Sequence, residues 1–376
     1  MKKFIFILLV ILTIICSGKF SASAAAYDDL KEQYNADSIM DELPDSAKST
    51  LSDIGINGFD FDSINNLTFD KIIGSIMNTA AEQSKTPLKI FATSVAIMLL
   101  YSILYSLKSS LESSSMQQVL SVCTTLCITC AAVIPVTGVI TTGVDVIQTT
   151  AKFMLAFIPI IALIITASGH AASSASYYSI MIFAGQGVSQ LSANVIAPFL
   201  KIFLGISVSS AISPSVNLSG IVQFISRVIK WLLGFIMTVF TAFLTIKQLI
   251  STGVDNVSTR AVRFTLTSLI PVVGSALSDA YRTVQSSVGL LKSGMGVFVI
   301  IAVAVLFLPI LLQCLCWMLT LSASKSVGEM LGLREPCFIF EAVNTVITTV
   351  FAILLCIMSV FIISTALILM LGGAGS

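Results

Sequence analysis

Residues 294–321 read GMGVFVIIAVAVLFLPILLQCLCWMLTL, 28 residues without a single charge. About 20 apolar residues cross a bilayer as one helix, so this stretch is long enough to span and too apolar to coat a soluble surface. Similar runs lie at 88–107, 119–140, 153–167, 177–213, 231–250 and 343–371. One crossing each predicts an all-α polytopic membrane protein of about seven transmembrane helices. Pro159, Pro198, Pro271 and Pro309 interrupt several of them, so broken helices are expected. Composition agrees, with 56% apolar residues, 10% charged residues and a mean hydropathy of +0.99. A soluble domain carries about 25% charge, so an ordinary globular enzyme and a disordered tail are both excluded.

The net charge of +1 hides a segregation. Residues 27–86 hold 12 acids against four lysines, whereas from Pro87 onward 13 Lys and Arg face seven acids. Ahead of the acidic segment, Lys2 and Lys3 precede an apolar run from Phe4 to Ile15, and Ser23-Ala24-Ala25-Ala26 follows. This layout predicts a signal peptide over 1–26; the rival reading of the same residues is an uncleaved first transmembrane helix. Both export residues 27–86, a helical segment too short to fold well alone, which should lean on the membrane domain or a partner. Lys247, Arg260, Arg263, Arg282 and Lys292 outnumber Asp255 and Asp279 over 247–292. The positive-inside rule places that stretch on the cytoplasmic side, and seven crossings put the C-terminus there too.

The membrane domain, 87–376, repeats itself. Thr142-Gly143-Val144-Asp145 recurs as Thr252-Gly253-Val254-Asp255, Phe157-Ile158-Pro159 matches Leu269-Ile270-Pro271, and Leu88-Lys89-Ile90-Phe91 recurs as Leu200-Lys201-Ile202-Phe203. The matches keep their order at shifts of 110 to 112, giving repeat one over 87–197, repeat two over 198–308 and a partial third unit over 309–376. Three crossings per unit would invert one copy relative to the other, as in many transporters. Alternatively the Ile-Pro segments dip into the membrane and return, and Leu266–Leu277, with Pro271 and Gly274, suits such a re-entrant hairpin. After it, Leu277, Tyr281, Val284, Val288 and Leu291 form an apolar helix face, with Asp279, Arg282, Gln285 and Lys292 opposite.

Residues able to support chemistry are few. No Walker lysine motif, HExxH, GxSxG or GxGxxG occurs, and no carboxylate pair is spaced for acid-base work, so neither an enzyme nor a cofactor or metal is expected. Without a basic stripe, nucleic acid is not an expected partner. His170 reads as a loop residue in Ser168–Ser173. Cys123, Cys127 and Cys130 share a helix face and are expected to pack against another helix. Lys89 and Lys201 either mark a pathway or snorkel from a helix end. Asp145 and Asp255 either gate and coordinate or cap the helix that follows them. Pro159, Pro271 and Gly274 are the candidate helix breaks along a pathway between the copies.

The signal-like start, Leu43-Pro44-Asp45-Ser46-Ala47-Lys48, and above all Gly253-Val254-Asp255, Arg260-Ala261-Val262-Arg263-Phe264, Leu269 to Gly274 and Ser278-Asp279-Ala280 resemble the stage III sporulation protein AE family. That resemblance implies a mother-cell membrane protein of endospore formers, one part of the stage III A to stage II Q assembly. The assembly resembles a secretion apparatus with an ATPase, ring-forming proteins and polytopic components, and sustains late forespore gene expression. The resemblance brings no catalytic residues. A stand-alone secondary transporter for a small solute and a passive scaffold are the competing readings.

Overall fold

The computed structural model describes residues 38–41, 43–56, 69–108, 114–212, 219–269 and 274–370. Of the described residues, 96% are helical and none lies in a strand. Two short helices, α1 (Ser38–Asp41) and α2 (Asp45–Asp53), precede the long ones. These are α3 (Phe69–Lys108), α4 (Ser114–Ala167), α5 (Ala171–Leu191), α6 (Ala197–Ile212), α7 (Ser219–Leu269), α8 (Gly274–Met330) and α9 (Arg334–Met370). A π-helical turn, Ser192–Ile196, joins α5 to α6, so 171–212 is one continuous rod. Pro198 explains the turn: its nitrogen cannot donate to the carbonyl of Asn194, and its ring crowds that carbonyl, so the helix widens one turn earlier.

Among the described residues, six helices are long and apolar enough to cross a membrane, where the sequence predicts about seven. The difference lies at 141–152. Its hydroxyls, Asp145 and Lys152 read as a loop between two spans, but they belong to the 54-residue α4. Thr141 and Thr150 return their hydroxyls to the carbonyls of Thr137 and Val146, at 3.1 and 2.8 Å. Gly143, Val144, Ile147 and Ala151 face the interior, Gly143 against Val350 and Leu354 of α9. Threonine satisfied by its own helix stays helical in an apolar setting.

The core is built on α8 and α9, the most extensively packed pair, with α3, α4 and the α5–α6 rod around them. Phe298, Phe307, Trp317, Phe340 and Phe361 are fully buried there. Leu43, Ala47, Leu51, Ile54 and Ile56 join the same core, so the short N-terminal helices lean on the bundle through α8 and α3. The helix that opens at Phe69 runs on through Pro87, so the last part of the acidic segment, 69–86, and the apolar run after it form one helix.

Hydrogen bonds fix the directions. Ser176 pairs with Ser251 at 2.7 Å and Ala172 meets Asp255, so α7 is antiparallel to α5 and runs the same way as α4. Ser226 meets Thr349 at 2.9 Å, and Gln248 donates to the Leu367 carbonyl, so α9 runs with α7. The two Thr-Gly-Val-Asp segments therefore lie on helices of like direction, whereas three crossings per unit would set them on opposed ones. They also differ in depth: Asp145 sits about six turns before the end of α4, whereas Asp255 is level with the start of α5. The proposed re-entrant turn, 270–273 with Pro271, lies outside the described residues; Gly274 is the first residue of α8.

Candidate functional site: a polar junction between helices

The Ser168–His170 turn ends α4 and starts α5. Gly169 takes φ +86, a left-handed conformation that glycine adopts without strain. The turn closes with His170 N donating to Ile165 O at 3.2 Å and Gly169 N to Thr166 O at 3.0 Å. The opening amides of α5 then need acceptors. His170 stands at the cap position and gives no side-chain cap. The acceptor comes from another helix: Asp255 Oδ1 accepts from Ala172 N and Oδ2 from Ser173 N, each at 2.8 Å. A carboxylate at a helix N-terminus gains from both the free amides and the helix dipole, which is how a 2% exposed Asp255 is accommodated.

One more helix and a second residue of α7 clasp the same turn. Gln285 Nε2 of α8 donates to Ser168 O at 2.7 Å, and Thr259 Oγ1 of α7 reaches Gly169 O at 3.4 Å. Seven residues beyond Gln285, on the same face of α8, Lys292 is only 4% exposed. Half-buried Gln285 and buried Lys292 thus face the bundle interior, as do Val288 and Leu291 of the apolar face. Intramembrane polar residues do so because lipid solvates them poorly. His170 is half-buried and lies 3.3 Å from Ser168 Oγ through Nδ1. Burial, and then the charge of Lys292, hold its pKa below 6.5; the charge of Asp255 and the bond to Ser168 oppose them. Asp255, His170 and Lys292 thus form one electrostatic group where α4, α5, α7 and α8 meet.

The remaining candidates lie elsewhere. Asp145 is exposed on α4, Lys201 on α6 and Lys89 on α3, and Pro159 is a half-buried interior residue of α4. Of the sequence candidates described, only Asp255 enters the junction. It caps, but the helix it caps begins 83 residues earlier in the chain. Lys292 and Gln285 stand in the sequence only as part of a polar helix face that could meet the membrane surface, a partner or the bundle itself; their spacing of seven and the hydroxyl-rich run Ser168–Ser176 are the signals that pair them. Cys123, Cys127 and Cys130 are exposed on α4, not packed against a neighbour, and no metal-holding group of His, Cys, Asp or Glu occurs among the described residues.

A family model described as Stage III sporulation protein AE matches residues 60–372, which include every residue of this junction. The chain belongs to the stage III sporulation protein AE family. It is similar to a relative named Stage III sporulation protein AE from Bacillus subtilis (strain 168), 23% identical over 231 residues. That alignment covers 61% of this chain and 57% of the relative, so a little over half of the relative's length is matched. No solved structure matches the chain. Family membership gives the protein a role in sporulation, and the six apolar helices make it a multi-pass membrane member of a family of membrane proteins, not of known enzymes.

Proposed function

We propose that this protein is a membrane component of the assembly joining mother cell to forespore, the stage III A to stage II Q complex, in the mother-cell membrane around the forespore. Its partners there are the other stage III A proteins, namely the ATPase, the ring-forming and the polytopic components, and through them the forespore stage II Q protein. The observation that carries this reading is the family match over 60–372 laid on a six-helix bundle whose one buried acid ties two helices together instead of presenting chemistry. A bundle closed by a structural carboxylate suits a fixed base or conduit wall.

Deletion in the spore-forming host tests it. A late forespore reporter should fail after engulfment is complete, and tagged ring components should lose their place around the forespore. Normal reporter activity with normal spores would refute the proposal. The stand-alone transporter reading predicts solute uptake by the purified protein alone in vesicles, and the absence of uptake beside a sporulation block separates the two.

A further inference from the structure

A narrow cleft runs between α5, α7 and α9 from Ser173 at the Asp255 cap about two turns inward, with about 330 Å³ of atom-free space that includes open solvent at its mouth. Its apolar lining is Ile180, Leu244 and Leu367, and its polar groups divide into spent and unspent. Ser176 and Ser251 satisfy each other at 2.7 Å. Gln248 gives its amide to the Leu367 carbonyl, and Ser364 donates to Phe361 O at 2.8 Å. Ser173 Oγ and Tyr177 Oη have no partner, although Ser173 is 2% and Tyr177 6% exposed, and both line the cleft. Burying a hydroxyl without a partner is costly, so such atoms mark the place of something that binds them.

Charge decides what that is. Lys247 lines the same cleft with its ammonium 5.9 Å from the Phe243 ring centroid. No acidic side chain is among the lining residues, and both oxygens of nearby Asp255 are occupied by backbone amides. Two hydroxyl donors and an ammonium with no carboxylate repel a cation and complete the shell of an anion.

We propose that the cleft between α5, α7 and α9 is a binding site for a compact monovalent anion, a halide or a carboxylate, held by Lys247, Tyr177 and Ser173. This site stands independently of the sporulation reading, because its test needs only the purified chain.

The test uses the full chain in nanodiscs of zwitterionic lipid, with chloride as the probe followed by chlorine NMR line width and acetate as competitor. Chloride lines should broaden several-fold beyond those of empty discs. Lys247→Gln and Tyr177→Phe should each remove most of that excess, while Lys201→Gln, an exposed lysine on α6, should leave it intact. Tyr177→Phe deletes one oxygen and keeps the ring, and helix content by circular dichroism checks that both variants fold. Displacement by acetate assigns the site to carboxylates as well as halides; persistence of the chloride signal assigns it to halides. No excess broadening with chloride and no saturation transfer to acetate would mean that water fills the cleft, and the proposal fails. Excess broadening that survives in both variants overturns it equally.

Discussion

Replacing Asp255 by alanine removes the only side chain that caps α5 among the described residues, and its cost can be worked from the geometry. Two amides, those of Ala172 and Ser173, lose charge-assisted bonds of 2.8 Å. A hydrogen bond to a charged group contributes about 1.5–3 kcal/mol, and loss of a helix cap costs about 0.5–2 kcal/mol. The two descriptions overlap, and water entering the gap recovers part of the loss, so we expect about 3 kcal/mol. Asp255→Asn keeps one side-chain oxygen and should cost about half as much. Hydrogen exchange of the 168–176 stretch in nanodiscs reads this directly: about 3 kcal/mol raises local opening by about two orders of magnitude. Asp145→Ala is the internal control. The motif around it is the same, but its carboxylate is exposed and bonds to none of the described residues, so it should change stability by less than about 0.5 kcal/mol. A rise in exchange below about fivefold in Asp255→Ala, or equal effects at the two aspartates, would refute the cross-helix cap.

Three further outcomes are expected. Because burial and Lys292 hold the pKa of His170 below 6.5, the unfolded chain takes up its proton first, so stability is full above that value and declines as pH falls through it; thermal scans from pH 7.5 to 5 should show a smaller decline in His170→Gln, and superimposable profiles would contradict the burial. Gly296→Ala should destabilise by about 1–3 kcal/mol, since an added Cβ would lie 2.3 Å from Leu369 Cδ2, whereas Gly253→Ala meets nothing within 4 Å and should stabilise its helix by up to about 1 kcal/mol; detergent denaturation that ranks them the other way would show the α8–α9 packing to be wrong. Epitope tags inserted at Asn57-Gly58 and after Met370 should be cut from the same side of intact spheroplasts, and cutting from opposite sides would mean that the six helices do not all cross.

Much of the fold is written in local patterns that a chain must carry wherever it is read. Residues 294–321 have no charge and become the buried centre of α8; Pro44 and Gly169 stand where helices start or stop. The merger of 119–140 with 153–167 was not legible, because the polarity of Thr141, Thr142, Asp145 and Thr149 signals a loop unless the hydroxyls turn back on their own helix. Asp255 stood out as a capping residue, yet no periodicity names the helix it caps when that helix starts 83 residues before it. Lys292 was hidden for a related reason. Its helix is amphipathic in sequence, and which face turns inward depends on the Ser168–His170 turn that the polar face meets.

The π turn at Ser192–Ile196 acts as a phase shifter for everything that follows it. One surplus residue turns the next side chains by about 100°, and only with that offset do Leu200, Phe203, Leu204, Ser207 and Val208 point into the bundle together. Removing one residue between Ser192 and Ile196 would let the turn relax to plain α-helix with Leu200, Phe203 and Leu204 still facing inward, because the wide turn holds the surplus residue. The same deletion in the middle of α5 or α6 would rotate one half of the rod against the other, a frameshift in three dimensions.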